Sequence, residues 1–535
     1  MVIAQLPPDS VRPSRSPVVR RVLTGTAVAG AVLGGVLVLL PGERQPPRPA
    51  PGPMARTVTA VGAGVPVALP DLAALIAQRE ARVRTRPRDG RSWALLGAAY
   101  VEQGRRTATP AFYPKAEKAL RTALGTGTAG NGTALDGLAA LANARGDFRT
   151  AKKWGEAAVA QAPKRWTAYP QLLEAYEGLG DHKATKKTLD RLLELRSGPA
   201  VMARAAQVYR DRGWREDAAA ALADAAAGAG TPAARAAYLS RSGDLAWERG
   251  EPADALRRYE AALRADPDEH SALAGQGRAL AALGRTSEAL RAYRTVLDRQ
   301  PSPGYALELG ELYESLGLGG AARVQYDLLR ARAREEAAAG VDVEPVLGLF
   351  EADHGDARSA VRRLREEWRR HPGTAVADAL GWALHRAGEN EEALKFTTRA
   401  MDAEHGGGVR SALYAYHRGQ IERDLERYGP ARRHLQEALR INPYFSPLLV
   451  PAARQALAAL GEPAAQELPE DAEPSGEEAE AEAVEPGSKP SAARPTASGG
   501  ATASGGATAS GGATASDGPT APGGPAPDPR RSGSR

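Results

Sequence analysis

Apolar positions along the chain fall into three regimes. Residues 22–40 are free of charge and rich in Val, Leu, Ala and Gly. From about Gly90 to Pro443 the apolar positions are intermittent and recur in step with turn residues. After Pro463 the pattern dissolves into polar sequence. The middle regime is periodic. Gly250, Ala255, Tyr259, Ala262 and Pro267 recur as Gly284, Ala289, Tyr293, Val296 and Pro301, each 34 positions later. Gly317, Ala322 and Tyr326 follow at a spacing of 33. Weaker copies turn at Gly146, Gly180, Gly213, Gly355 and Gly388. Each copy predicts two amphipathic helices around a tight turn. Gly at the turn takes the left-handed conformation that ends the first helix. Ala lets the helices approach, and the Tyr four residues on shares its face. Pro stops the second helix. One such pair cannot bury its apolar face alone, so neighbours stack, and about ten units fit.

Within the ladder, Trp93-x-x-Leu96-Gly97-x-x-Tyr100 with Gly104 is the fullest motif. Leu309-Gly310-x-x-Tyr313 with Gly317 and Leu380-Gly381-x-x-Leu384 with Gly388 are fragments of it. These residues resemble the tetratricopeptide repeat family. The resemblance implies an all-α fold, a right-handed α-solenoid of about ten stacked hairpins with a capping helix over 444–461. Residues 343–461 are also similar to the closing part of bacterial tetratricopeptide proteins of unknown role, from which no activity carries over. Several positions depart from the pattern. Pro110 and Pro114 suggest a loop in the first unit, Glu426 stands where the last turn expects Gly, and 226–232 and 333–340 lengthen two junctions.

The charge-free run 22–40 spans about 28 Å as a helix, close to the hydrocarbon core of a bilayer. Arg12, Arg15, Arg20 and Arg21 precede it and Pro41 ends it. An uncleaved anchor fits better than a cleaved signal, because the first small-residue site, Val58-Thr59-Ala60, lies far downstream. The flanking arginines place residues 1–21 in the cytoplasm and the repeats outside. The expected organisation is therefore a cytoplasmic tail (1–21), an anchor or signal sequence (22–40), a Pro/Gly-rich linker (41–70), the repeats (71–461) and a terminal tail (462–535). That last tail carries 11 acidic against 5 basic residues from Pro463, in a chain whose net charge is +6. Its Ala-Thr-Ala-Ser-Gly-Gly repeats cannot bury enough apolar surface to offset their ordering entropy.

Composition narrows the function. There is no Cys, which excludes disulfides and thiolate chemistry. The helical part is only mildly basic and has no basic face interleaved with aromatics, so nucleic acid is not an expected partner. None of the eight histidines forms H-E-x-x-H, and no phosphate-cradling or nucleophile-elbow motif is present. Gly317-Leu318-Gly319-Gly320 and Asp353-His354-Gly355-Asp356 both fall on repeat turns, where Gly and Asp are ordinary. No cofactor, metal or catalytic residue is expected. The rival class, an enzyme, would need a catalytic domain that the repeats leave no room for.

In the resembled family the first helix of each unit lines a concave groove. Starting unit nine at Thr374 and unit ten at Ala412 puts Asp378, Trp382, His385 and Arg386 on that surface, beside Tyr416, His417, Gln420 and Arg423. Trp, Tyr and Arg dominate interface energetics. The competing account is that Trp382 and Tyr416 pack between helices. Glu308, Glu311 and Glu314 offer an acidic patch on unit seven, or simply a solvated face. The Lys and Asn that grip a peptide carboxylate in some family members are missing. The expected function is a membrane-tethered scaffold that binds a protein or peptide, with a structural role in an envelope complex as the alternative.

Overall fold

The computed structural model describes residues 52–127, 131–402 and 408–461. All of them lie in one compact unit, which ends at Ala464. The expected anchor at 22–40 and the tail at 462–535 fall outside the described residues. No described helix is long and apolar enough to cross a membrane.

Among the described residues there are 23 α-helices and no β-strand. α1 (Pro53–Gly62) and α2 (Leu69–Thr85) precede ten hairpins. The first helices of units one to five are α3 (Gly90–Thr107), α5 (Asn131–Ala144), α7 (Tyr169–Gly178), α9 (Pro199–Asp211) and α11 (Pro232–Glu248). Their second helices are α4 (Phe112–Gly125), α6 (Phe148–Gln161), α8 (His182–Leu195), α10 (Arg215–Ala227) and α12 (Pro252–Ala265). Units six to ten pair α13 (His270–Ala282) with α14 (Thr286–Arg299), α15 (Pro303–Ser315) with α16 (Gly319–Ala338), α17 (Glu344–His354) with α18 (Ala357–Arg370), α19 (Thr374–Arg386) with α20 (Asn390–Met401), and α21 (Ala412–Asp424) with α22 (Tyr428–Ile441). α23 (Leu449–Ala459) caps the last unit, with Val450, Ala453 and Ala456 buried.

Local chemistry accounts for the hairpins. Gly146, Gly180, Gly213, Gly250, Gly284, Gly317 and Gly388 all have φ between 66° and 84°, the left-handed turn that the ladder predicts. Glu426 occupies the same conformation at φ 59°, although a side chain there is strained. Asp147 and Asp181 follow two of these glycines and cap the next helix, accepting from Thr150 N at 3.1 Å and Ala184 N at 3.0 Å. In several units a first-helix glycine lets a large second-helix side chain, of its own unit or of the one before, cross close to the backbone. A methyl group on Gly243 or Gly275 would stand 2.5 or 2.3 Å from the ring of Tyr259, which is fully buried. Gly310 has the same relation to Tyr326, and Gly419 to Leu435.

Two stretches differ from expectation. Residues 333–340 lengthen α16 itself, which runs for 20 residues, and so add helix to unit seven rather than loop. The expected linker 41–70 contains α1, whose Ala60 and Val61 pack with Val67, Leu72, Leu75 and Ala99. The part of that stretch from Met54 to Val67 thus packs with the folded unit, and residues 41–51 lie outside the described residues.

Contacts also join units far apart in sequence. Asn442 Nδ2 donates to Trp247 O at 2.8 Å and Gln300 Nε2 to Arg105 O at 3.2 Å, each across 195 residues. Asp342 N donates to Arg145 O at 2.7 Å. Arg149 donates to Arg369 O at 2.7 Å, and Arg215 donates to Arg410 O. Arg106 is paired with Asp266 at 3.1 Å, both side chains under a tenth exposed, and also donates to Val67 O. The rule is regular: the turn inside unit two, three, four or five meets the chain after unit seven, eight, nine or ten. The stack therefore coils back on itself after five to six units, and successive coils touch.

Candidate functional site

The eight side chains expected on the groove of units nine and ten do converge, but mostly inside the protein. α19 and α21 are neighbouring first helices, and each presents its polar and aromatic residues to the other. Trp382 (3% exposed) stacks on His417 (1%), with ring centroids 4.2 Å apart and planes at 15°. Tyr416 stands 5.7 Å from Trp382 and 5.5 Å from Phe445, which follows unit ten. Trp382 Nε1 donates to Asp353 Oδ1 at 3.0 Å. His417 Nδ1 lies 2.9 Å from Asp378 Oδ2. His385 Nδ1 lies 2.8 Å from Asn390 Oδ1, and burial lowers its pKa.

Asp378, Trp382, Tyr416, His417 and Gln420 are all at most 5% exposed: Trp382 and Tyr416 follow the competing account of packing between helices, and the groove exposure expected of Asp378, His417 and Gln420 is corrected. The physical reason is spacing. Adjacent first helices pack closely, so a residue four positions from a core position faces the neighbouring unit before it faces solvent. Arg386 is exposed and Arg423 partly so. Arg386 donates to Ala352 O at 3.2 Å and lies 6.0 Å from the Trp382 ring centroid. Arg423 pairs with Asp424 at 2.7 Å. The two arginines form the accessible rim of a buried aromatic cluster.

Unit seven is not an open acidic patch. Glu308 receives Arg278 at 2.8 Å and the Tyr293 hydroxyl at 2.8 Å. Glu314 accepts from the Tyr326 hydroxyl at 2.6 Å. Burial pushes Glu311 up, while His354, 3.9 Å away, opposes that rise. Glu308 and Glu311 border a cavity of about 380 Å³ that Trp247, Tyr293, Tyr444 and Phe445 also line, so it lies between coils.

A larger cavity, about 490 Å³, lies where units three and four meet units eight to ten. Its walls include Glu177, Asp211, Arg210, Asp342, Glu367, His371 and Tyr414. Glu177 Oε1 is buried without a hydrogen-bond partner, and burial with nearby Asp211 raises this carboxyl to about 8. His371 Nδ1 lies 2.6 Å from Glu367 Oε1 and 3.4 Å from Asp342 Oδ2. Burial disfavours the imidazolium, but the two carboxylates outweigh it and raise His371 to about 9. Among the described residues these three side chains are the group whose ligand atoms lie close enough, within 4.8 Å, to hold a metal ion. Arg370, 2.7 Å from Glu367, and the proton on His371 already neutralise that charge, so a cation must displace a proton to bind.

Polar atoms without partners are unevenly placed. Glu102, Gln103, Asn143, Glu177, Asp378 and Gln420 on first helices each bury an acceptor oxygen without a hydrogen-bond partner, against Gln325 and Glu367 on second helices. Sequence reasoning reached Asp378 and Gln420 and missed the other four. It also missed Asp266, His371 and Asn442, which pin one coil to the next. A signal for those three was present: each precedes a unit-ending proline, Pro267, Pro372 or Pro443.

Residues 240–290 and 275–338 match the family model described as Tetratricopeptide repeat. No curated protein matches the chain. Solved structures similar to it include a human IFIT1 dimer with PPP-AAAA, at 16% identity and TM-score 0.40, over 58% of this chain and 72% of that one. Yeast Tom70 is 13% identical with TM-score 0.32, over 68% and 96% of the two chains. A tetratricopeptide repeat protein from Parabacteroides merdae is 17% identical with TM-score 0.30, over 48% and 97%. The residues that match the tetratricopeptide repeat model fall in units five to seven, within a solenoid of ten stacked hairpins.

Proposed function

We propose that this chain is a non-enzymatic scaffold that binds a protein or peptide along the face built by its first helices, and that residues 22–40 tether it to a membrane with the repeats outside the cytoplasm. One observation supports the binding reading above the rest: ten hairpins stack in one unit, and first helices of neighbouring units pack against one another to build an extended face. Stacked repeats create extended surfaces of that kind. Arg386 and Arg423, at the rim of the aromatic cluster, supply directional donors to a partner's carbonyls.

The test uses the full-length chain, recovered from intact cells with whatever it holds. Release of one stable partner by a competing peptide supports the scaffold reading. A large co-purifying membrane complex that no peptide releases supports the structural alternative. Once the partner is in hand, Arg386→Ala with Arg423→Ala is expected to weaken it at least tenfold, on the order of 2 kcal/mol for such residues. Unchanged affinity with unchanged circular dichroism removes these arginines from the site.

A further inference from the structure

Contacts between coils use two edges of the solenoid, and each edge is only half used. The turn edge carries the turns inside the units. The junction edge carries the chain between units. In units two to five the turn edge is covered. A methyl group on Gly146 would stand 2.8 Å from Asp342 Cβ, and one on Gly180 2.8 Å from Pro372 O. On Gly213 it would stand 2.6 Å from Gly408 O, and on Gly250 2.8 Å from Pro443 Cδ. At Gly284, Gly317 and Gly388 the same methyl group meets no atom within 4 Å among the described residues. The turn edge of units six to ten therefore faces away from the coil. By the same geometry the junction edge of the earliest units is unused, and Pro87, Pro163, Lys164, Ser197 and Gly230 on it are exposed.

Composition follows this division. Seven large apolar side chains are exposed among the described residues; four of them, Leu283, Leu316, Leu318 and Tyr428, sit at the uncovered turns and one, Trp214, at a covered turn. The polar chemistry repeats as well. Covered-edge arginines near the start of second helices, Arg149 and Arg215, donate to the carbonyls of Arg369, in the last turn of α18, and of Arg410, in the junction after unit nine. Arg285 and Arg427 stand just before α14 and α22 on the uncovered edge, where they pair with glutamates: Arg285 with Glu288 at 2.7 Å and Arg427 with Glu391 at 3.9 Å.

We infer that the chain associates with a second copy of itself head to tail. The turn edge of units six to ten in one copy seats on the junction edge of the first units in the next. The interface continues the one that already joins coils within a copy. The two patches are different surfaces, so the contact is heterologous, and it propagates unless its rotation closes a ring. This inference goes beyond the binding function and does not depend on it.

Sedimentation velocity of the full-length chain in mild detergent tests it. The wild type is expected to form species that grow with concentration. Leu316→Glu with Leu318→Glu disables the turn edge, and Ser197→Arg with Gly230→Arg disables the junction edge. Both pairs are exposed, so each double variant is expected to keep wild-type helicity and run as a monomer. Mixed together, the two variants retain one good edge each and should form a 1:1 dimer of about twice the monomer mass that grows no further. A wild type that stays monomeric across the range overturns the inference. So does a closed dimer that neither variant disturbs, or a mixture that stays monomeric. Association that begins only when residues 462–535 are removed also overturns it, since that segment is then what covers the edge.

Discussion

Three residues that precede unit-ending prolines do more than end a helix. Asp266, His371 and Asn442 turn their side chains toward the preceding coil, where they meet Arg106, the Phe148 ring at 5.3 Å and the Trp247 carbonyl. His371 makes this attachment sensitive to pH. Its pKa is raised from 6.5 to about 9, so its stabilising contribution is complete below 6.5 and lost as pH rises through 9. Glu177, raised from 4.5 to about 8, works in the same direction, because the folded state binds its proton more tightly and each further loss of that proton destabilises it. The thermal midpoint is therefore expected to fall steadily between pH 6.5 and 9. In His371→Ala the part of that fall above pH 8 should vanish, since Glu177 has already ionised there. A wild-type midpoint that is flat from pH 6.5 to 9 contradicts the assignment.

At the scale of the element, the hairpin depends on small residues at crossing points. Tyr259 is fully buried between Gly243 of its own unit and Gly275 of the next, and its hydroxyl donates to Asp244 at 2.8 Å. Gly275→Ala forces a methyl group into the ring, which cannot retreat without leaving Asp244. The expected cost is about 1–3 kcal/mol, the usual range for overpacking a core. Urea denaturation measures it, and a loss under 0.5 kcal/mol shows that the ring yields. Much of this scale was legible in sequence. The 34-residue ladder of Gly, Ala, Tyr and Pro placed the turns, and the starts of units nine and ten fell on Thr374 and Ala412, where α19 and α21 begin. Less legible was burial on the first helix. Trp382, Tyr416 and His417 were placed on a groove face, with packing between helices as the competing account for Trp382 and Tyr416, and they pack on each other; period alone gives the face of a helix and not what stands opposite it.

For the whole molecule, topology in the cell is the first question. Residues 22–40 follow four arginines and precede the repeats, which predicts repeats outside the cytoplasm. Protease added to intact spheroplasts is expected to digest them. Full protection, with the chain still in the membrane fraction, reverses the orientation. The ladder, the hairpins and their order were determined by sequence alone, because a turn and its two helices are settled by residues within about 34 positions of one another. The coil was decided only in the tertiary structure. Its contacts join residues 160 to 220 apart and rest largely on backbone groups, such as the carbonyls of Trp247, Arg369 and Arg410. A carbonyl is the same in every residue, so sequence does not mark it as a partner. The small rotation from each unit to the next, summed over five to six units, sets which carbonyl each arginine reaches. The same sum decides which edge is left uncovered.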